Sequence, residues 1–200
     1  MVKKIKTCVF ISGTGTNLRS IIKNSRDYNF PIKIDLIITN NINANGLKYA
    51  KKYNIPYKFF SYKNKRLFER NCLLELKRRK IKFICLAGFM KLLSKYFLEN
   101  FRYKIINIHP SLLPKFKGLN THFRVLKNRE KFTGCTVHHV TSKVDSGNII
   151  LQKKIYIYDD DTEKSLKERV LKQEHQIYPR AIRSTFKWLI AKKKWNFNFC

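Results

Sequence analysis

Apolar positions along this chain fall into two periods. Near-continuous apolar runs at Ile5–Ile11, Ile32–Thr39 and Phe83–Leu86 read as strands buried on both faces. Between them the apolar residues recur at helical spacing. Leu18, Ile21 and Ile22 open a first helix, and residues 44–53 read as a second. Residues 65–80 place Phe68, Cys72 and Leu76 on one face with Leu73 beside them, which predicts a third. A short strand is expected at 57–60 after Pro56, a helix at 94–100, and a β-favouring stretch at 103–106. Residues 133–141 alternate as a strand, and 149–158 read as a long strand or hairpin arm. A helix from about Glu163 carries Leu166, Val170, Glu174 and Ile177. Pro179 is expected to kink or end it, because proline has no N–H and its ring crowds the preceding turn. A last helix would then present Ile182, Phe186, Leu189 and Ile190, with the tail after Lys192 frayed. Strands alternating with helices predict an α/β protein with a mostly parallel, twisted sheet and helices on both faces. No linker, repeat or low-complexity block interrupts the pattern, so residues 1–200 read as one domain.

Composition changes this picture in one respect. Apolar residues at 44% and charged residues at 28% fit a globular chain, but the formal net charge is +30. Such an excess invites a nucleic-acid reading. The lysines are spread over the whole length, however, with no arginine-rich tail, and the surplus of Lys, Ile, Asn, Phe and Tyr has the character of a compositional bias. The charge would still steer anionic ligands inward. The cysteines, Cys8, Cys72, Cys85, Cys135 and Cys200, are odd in number and form no C-x-x-C, which argues for a reducing compartment and against a zinc site. The apolar run at 8–11 is too short for a signal peptide and the run at 83–90 too short to span a membrane, so a cytoplasmic protein is expected.

The candidate chemistry centres on Asn107-Ile108-His109-Pro110-Ser111-Leu112-Leu113-Pro114, where a strand empties into the polar loop 115–121. Residues i and i+2 of a strand share a face, so Asn107 and His109 can aim at one spot. An amide donor and an imidazole at the carboxyl end of a strand are parts for stabilising an oxyanion and moving a proton. The alternative is an Asn and a His satisfied by turn backbone. Ser12-Gly13-Thr14-Gly15-Thr16-Asn17-Leu18 joins the first strand to the first helix. Its glycines let backbone N–H groups approach an anion, Thr16 adds a hydroxyl, and Asn17 is a good helix N-cap, which together suggest a phosphate cradle. It lacks the G-K-[S/T] of a P-loop and the third glycine of a dinucleotide fingerprint. Phe89, Met90, Leu92 and Leu93 follow a strand end and read either as helix packing or as an apolar wall for a flat ligand. His122 suits helix capping as well as catalysis. His138 and His139 are strand neighbours facing opposite sides, and both are expected to be structural. Asp145, in a Gly-containing loop, could pair with an imidazole and favour its protonated form. Asp159, Asp160 and Asp161 are expected to charge a helix N-terminus rather than to hold a metal.

With these residues placed, the chain resembles the phosphoribosylglycinamide formyltransferases, folate-dependent enzymes of purine synthesis with a Rossmann-like formyltransferase fold. The likeness rests on 11–18, on Leu86-Ala87-Gly88-Phe89-Met90, on 107–114, on Asp145-Ser146-Gly147, and on Gln173-Glu174-His175 with Tyr178-Pro179. It implies transfer of a formyl group from 10-formyltetrahydrofolate, as co-substrate, to the amino group of glycinamide ribonucleotide. It also implies roles. Asn107 would donate to the developing oxyanion, His109 would act as general acid, and Asp145 would raise the histidine pKa and hold a water. Gly15, Thr16 and Asn17 would hold the ribonucleotide phosphate, and Glu174 would meet the ribose hydroxyls. Lys65, Met90, Lys91, Leu92, Leu93, Asn107, Thr141 and Val144 would form the folate side. No metal is implied, and the partners would be small molecules, with no specific nucleic acid and no membrane, in a monomer or homodimer.

The chain departs from the family pattern at three positions. Lys65 and Lys91 stand where arginines are usual, which keeps charge but loses the planar fork. Asn120 stands where the loop usually has a histidine, with His122 retained. Neighbouring families are a poorer fit. A methionyl-tRNA formyltransferase would need a further C-terminal domain, and a formyltetrahydrofolate hydrolase an N-terminal one. A basic, non-catalytic nucleic-acid-binding protein is the reading from another class.

Overall fold

The computed structural model describes residues 4–187. Five strands, β1 (Ile5–Ile11), β2 (Ile32–Thr39), β3 (Tyr57–Phe59), β4 (Phe83–Leu86) and β5 (Lys104–His109), are mutually parallel. Two more, β6 (Phe132–His139) and β7 (Ile149–Tyr156), continue the sheet in antiparallel pairings. The order is β3-β2-β1-β4-β5-β6-β7. From β1 the chain winds outward through β2 and β3, then returns to lay β4 and β5 on the other side. The strand order therefore reverses between β1 and β4, where the carboxyl ends of the strands leave a crevice.

Side-chain alternation along β1 builds two cores. Val9 and Ile11 face Leu18, Ile21 and Ile22 of α1 (Thr16–Ser25) and the long helix α6 (Glu163–Thr185). Cys8 and Phe10 face the other way, toward Phe68, Cys72 and Leu76 of α3 (Lys65–Arg78) and Phe97 of α4 (Lys95–Asn100). Burying a side chain of this kind stabilises the fold by about 1.5–3 kcal/mol. Two shorter helices, α2 (Leu47–Lys52) and α5 (Thr121–Lys127), complete the first face. So the expected mostly parallel sheet with helices on both faces is present.

The helix boundaries bring corrections. The second helix starts at Leu47 rather than residue 44, because residues 41–44 form a turn closed by Ala44 N–H donating to Asn41 O at 3.1 Å. The first helix starts at Thr16 with Gly15 as its N-cap, so Asn17 does not cap it. Pro179 neither ends the last helix nor separates it from another. α6 runs through it as one helix of 23 residues. Proline 179 cannot serve the carbonyl four residues before it, that of His175. Ser20 Oγ of α1 donates to this carbonyl at 2.7 Å, so the helix loses a backbone bond without leaving an acceptor bare. Leu189, Ile190 and the tail lie outside the described residues. The acidic cluster does charge the start of α6. Asp161 accepts from Ser165 Oγ at 2.7 Å and pairs with Arg169, while Thr162 and Ser165 form a capping box. Tyr178, fully buried on α6, donates toward Leu86 O at 2.8 Å and Ile106 O at 3.2 Å, and so ties this helix to the strands that end in the candidate site.

Candidate active site

β5 runs three residues beyond the expected strand, so Asn107 and His109 belong to the sheet itself. Their shared face meets the loop after β6. Asp145 Oδ2 lies 3.3 Å from His109 Nδ1, and Asp145 Oδ1 lies 3.5 Å from Asn107 Nδ2. One carboxylate thus bridges the amide and the imidazole. Its own backbone is in the left-handed region, φ 43°, which Asp tolerates better than most residues. The loop then returns through Gly147, where a Cβ would lie 1.7 Å from His139 O, so only glycine lets the chain pass.

Two groups in this site, the Phe116 carbonyl and the Gly118 N–H, had no reading from the sequence, and a third, His138, has a different one. Phe116 O accepts from His109 Nε2 at 2.8 Å, which fixes a proton on that nitrogen. Gly118 N–H donates to Asp145 Oδ2 at 2.9 Å. His138, expected to be structural, reaches Asp145 Oδ1 at 3.4 Å and Asn107 Nδ2 at 3.3 Å. As strand neighbours, His138 and His139 face opposite sides of the sheet and do not both enter the site. The antiparallel register decides which one does, because it sets His138 opposite Asn107. His122 lies buried within α5, with Nδ1 lacking a partner among the described residues, and the N-cap is Asn120 at φ 54°.

The electrostatics oppose one another here. Burial is the largest influence on His109 and draws its pKa below the ordinary value, while the Phe116 carbonyl and the Asp145 carboxylate push it upward. The expectation that Asp145 favours the protonated imidazole therefore holds for the pair, but burial outweighs it. Burial also works to raise Asp145. Hydrogen bonds from His138 and the Gly118 N–H, with the neighbouring histidines, outweigh that and hold the carboxyl below its usual range.

A second cluster forms at the crevice. Gly15 sits at φ 71°, and a Cβ there would come within 2.4 Å of Gly46 Cα, so the turn can close against α2 only as glycine. The N–H groups in the first turn of α1 have no acceptor within the helix and can meet an anion. Asn17 Nδ2 donates to Glu174 Oε2 at 2.6 Å across 157 residues of chain. Asn17 Oδ1 is buried without a partner among the described residues. Burial pushes the Glu174 carboxyl up to about 7, against the Asn17 hydrogen bond that lowers it.

The residues expected on the folate side divide. Met90 and Leu92 are more than half exposed past the end of β4, and Val144 is exposed beside Asp145. Leu93 differs from them: its side chain is buried among Phe97 and Phe10 in the second core, as the helix-packing alternative expects. Ser12 Oγ accepts from Met90 N–H at 2.9 Å and donates to Asn40 at 2.6 Å, which fastens the loop after β4 to the loop after β1. Tyr62 OH donates to Leu92 O at 2.9 Å and Lys91 Nζ lies 5.2 Å from the Tyr62 ring, a cation–π contact. Lys65, exposed, opens α3 after the Asn64 cap, and Thr141 Oγ1 donates to Lys143 O at 3.1 Å within its own loop. Among the described residues no group of three or more His, Cys, Asp or Glu is placed to hold a metal ion.

Comparison with known proteins finds relatives of the chain. The formyl transferase family matches residues 5–182. The chain is 41% identical to the phosphoribosylglycinamide formyltransferase of Haemophilus influenzae, over 89% of this chain and 85% of that protein. It is 43% identical, over 90% of its own length, to the human trifunctional purine biosynthetic protein adenosine-3, of which it spans only 18%. The crystal structure of phosphoribosylglycinamide formyltransferase from Brucella melitensis superposes with a TM-score of 0.86 at 40% identity, covering 92% of this chain and 96% of that one.

Proposed function

We propose that this chain, which belongs to the formyl transferase family, transfers a formyl group from 10-formyltetrahydrofolate to the amino group of 5-phosphoribosylglycinamide, a step of purine synthesis. The observation that carries the reading is the carboxylate of Asp145 joined to both Asn107 and His109 at the carboxyl end of β5. When bound, the folate supplies the formyl carbon. Exposed apolar side chains at Met90 and Leu92, in the loop after β4, and at Val144, next to Asp145, support such a ligand.

The chain's own residues then have distinct tasks. Asn107 Nδ2 donates a hydrogen bond to the oxygen on which negative charge develops. His109 Nε2 is committed to Phe116 O, so the mobile proton is the one held between Nδ1 and Asp145 Oδ2. That proton would pass to the leaving nitrogen of the folate as its bond to the formyl carbon breaks, and the proton shed by the attacking amine would replace it. Asp145 holds the ring and the relay together, and His138 braces the Asn107 amide from the opposite strand. The first turn of α1, with Gly15, Thr16 and Asn17, receives the ribonucleotide phosphate, and Glu174 meets the ribose hydroxyls. Lys65, Lys91 and Thr141 border the folate. The chain acts as one formyltransferase domain in the cytoplasm, as a monomer or homodimer, with small-molecule substrates and without a specific nucleic-acid partner. No helix among the described residues is long and apolar enough to cross a membrane.

A formyl-transfer assay tests this. The protein is given 10-formyltetrahydrofolate with glycinamide ribonucleotide, and in a second tube the folate with water alone. Turnover that requires the ribonucleotide is the expected result. Folate cleavage in both tubes would replace the reading with a hydrolase, and inactivity in both would remove it.

A further inference from the structure

Away from the candidate site, on the second face of the sheet, α3 and α4 diverge and leave a groove of about 720 Å³. Its floor is apolar: Leu76, Ile81 and Phe101 are buried there and Leu73 is half-buried. Leu74, Tyr96 and Tyr103 stand on its walls, each at least half exposed. Apolar surface of this kind left open to water marks a binding surface more often than chance.

The rim carries charge of one sign. Arg70, Lys77, Lys80, Lys82 and Arg102 border the groove, all exposed, and no carboxylate among the described residues lines it. None of the five forms an ion pair among the described residues, whereas Glu75 and Glu99 nearby are held by Arg78, Arg79 and Lys95. Arg70, Leu73, Leu74 and Lys77 follow the i, i+3, i+4, i+7 spacing and so form one stripe along α3. That stripe runs about two helical turns, roughly 10 Å. It matches the span of three anchors at i, i+4 and i+7 on a docked helix.

We infer that this groove binds an acidic amphipathic helix of a partner protein, whose leucine- or phenylalanine-like anchors fill the apolar floor while its carboxylates meet the five rim cations. The charge complementarity selects this occupant. A second copy of the chain meeting it through the same patch would set five cations against five more. A lipid surface needs a protruding apolar face, and this one is concave. An oligonucleotide would meet a buried floor of Leu76, Ile81 and Phe101 that offers its base edges no hydrogen-bonding group. The inference is independent of the proposed reaction, since no rim or floor residue belongs to the candidate active site.

The test uses the full chain and a labelled synthetic helical peptide with Leu at i, i+4 and i+7 and Glu at most other positions. The control peptide has the same composition with its leucines scattered around the helix. Fluorescence anisotropy is expected to give saturable, one-to-one, micromolar binding that weakens with added salt. Leu74→Asp, and separately Lys77→Glu with Lys80→Glu, should each weaken it about tenfold while formyl transfer continues at the wild-type rate. Several results would overturn the inference: no saturable binding, equal affinity for the control peptide, or full affinity in both variants. Self-association abolished by Leu74→Asp in sedimentation, or displacement of the peptide by a more tightly bound oligonucleotide, would do the same.

Discussion

At the scale of single residues, the site depends on how burial and hydrogen bonding share control of three ionisable groups. His109 is drawn below its ordinary pKa by burial, with Asp145 pulling the other way. Its protonated form is therefore lost as pH rises through that lowered value. In Asp145→Asn the opposing carboxylate charge is gone, so the imidazole should titrate at a still lower pH. Ring-proton NMR follows this directly, and an unchanged midpoint would contradict the pairing. His109→Ala and Asp145→Ala should each reduce kcat by about 10²- to 10⁴-fold with the circular dichroism of the wild type. Glu174 makes a separate claim about stability. Its folded value of about 7 lies above the ordinary 4.5, so its contribution is fully present below pH 4.5 and is lost as pH rises through 7. Compared with Glu174→Gln, which keeps an acceptor for Asn17, the wild type should lose about 3 kcal/mol across that window. Urea denaturation of both proteins at several pH values measures the difference. A constant gap between them would show that the buried carboxyl does not titrate.

At the scale of elements, α6 is the instructive case. Sequence reasoning treated Pro179 as a local event, and locally the rule is sound. The rule was overridden from another helix, since Ser20 of α1 takes up the His175 carbonyl that proline leaves free. Ser20→Ala should therefore destabilise the fold by about 1 kcal/mol. In a Pro179→Ala background the backbone N–H is restored and the same substitution should cost much less. A double-mutant cycle by thermal denaturation reads the coupling, and strict additivity would refute it. The apolar runs, by contrast, located β1, β2 and β4 closely, because a strand buried on both faces must be apolar along most of its length. The boundary errors, at the start of α2 and at the end of β5, came where turn bonds and a neighbouring strand extend or trim an element. Asn17 was legible as important but not in its role: its amide serves a carboxylate 157 residues away instead of its own helix end.

At the scale of the molecule, the +30 charge acts on everything at once. It opposes the compact state by self-repulsion and attracts anionic ligands. Raising monovalent salt from about 0.01 M to about 0.15 M shortens the screening length from about 30 Å to about 8 Å. Over that range Tm should rise, while kcat/KM for the phosphate-bearing substrate should fall as steering weakens. Calorimetry and steady-state rates at matched salt check both signs. A Tm that stays level would mean that the positive groups are spread too widely to repel. The two cores also belong to this scale, because one sheet separates the cluster behind the candidate site from the groove on its far side.

The sequence by itself determined the α/β class, the strand series, the Gly-rich turn, and the pairing of Asn107 with His109. Each of these is set by local spacing: a period of two or 3.6 residues, a glycine, or neighbours on one strand face. The tertiary structure alone decided that Asp145 meets Asn107 from 38 residues along the chain and His109 with it, and that His138 enters the site while His139 does not. It also turned Leu93 inward and left Met90 and Leu92 in the open. These outcomes rest on the register between strands and on which loop returns to which edge. A one-residue slip in the β5–β6 pairing would exchange the two histidines, and nothing in the local spacing of either strand specifies that register.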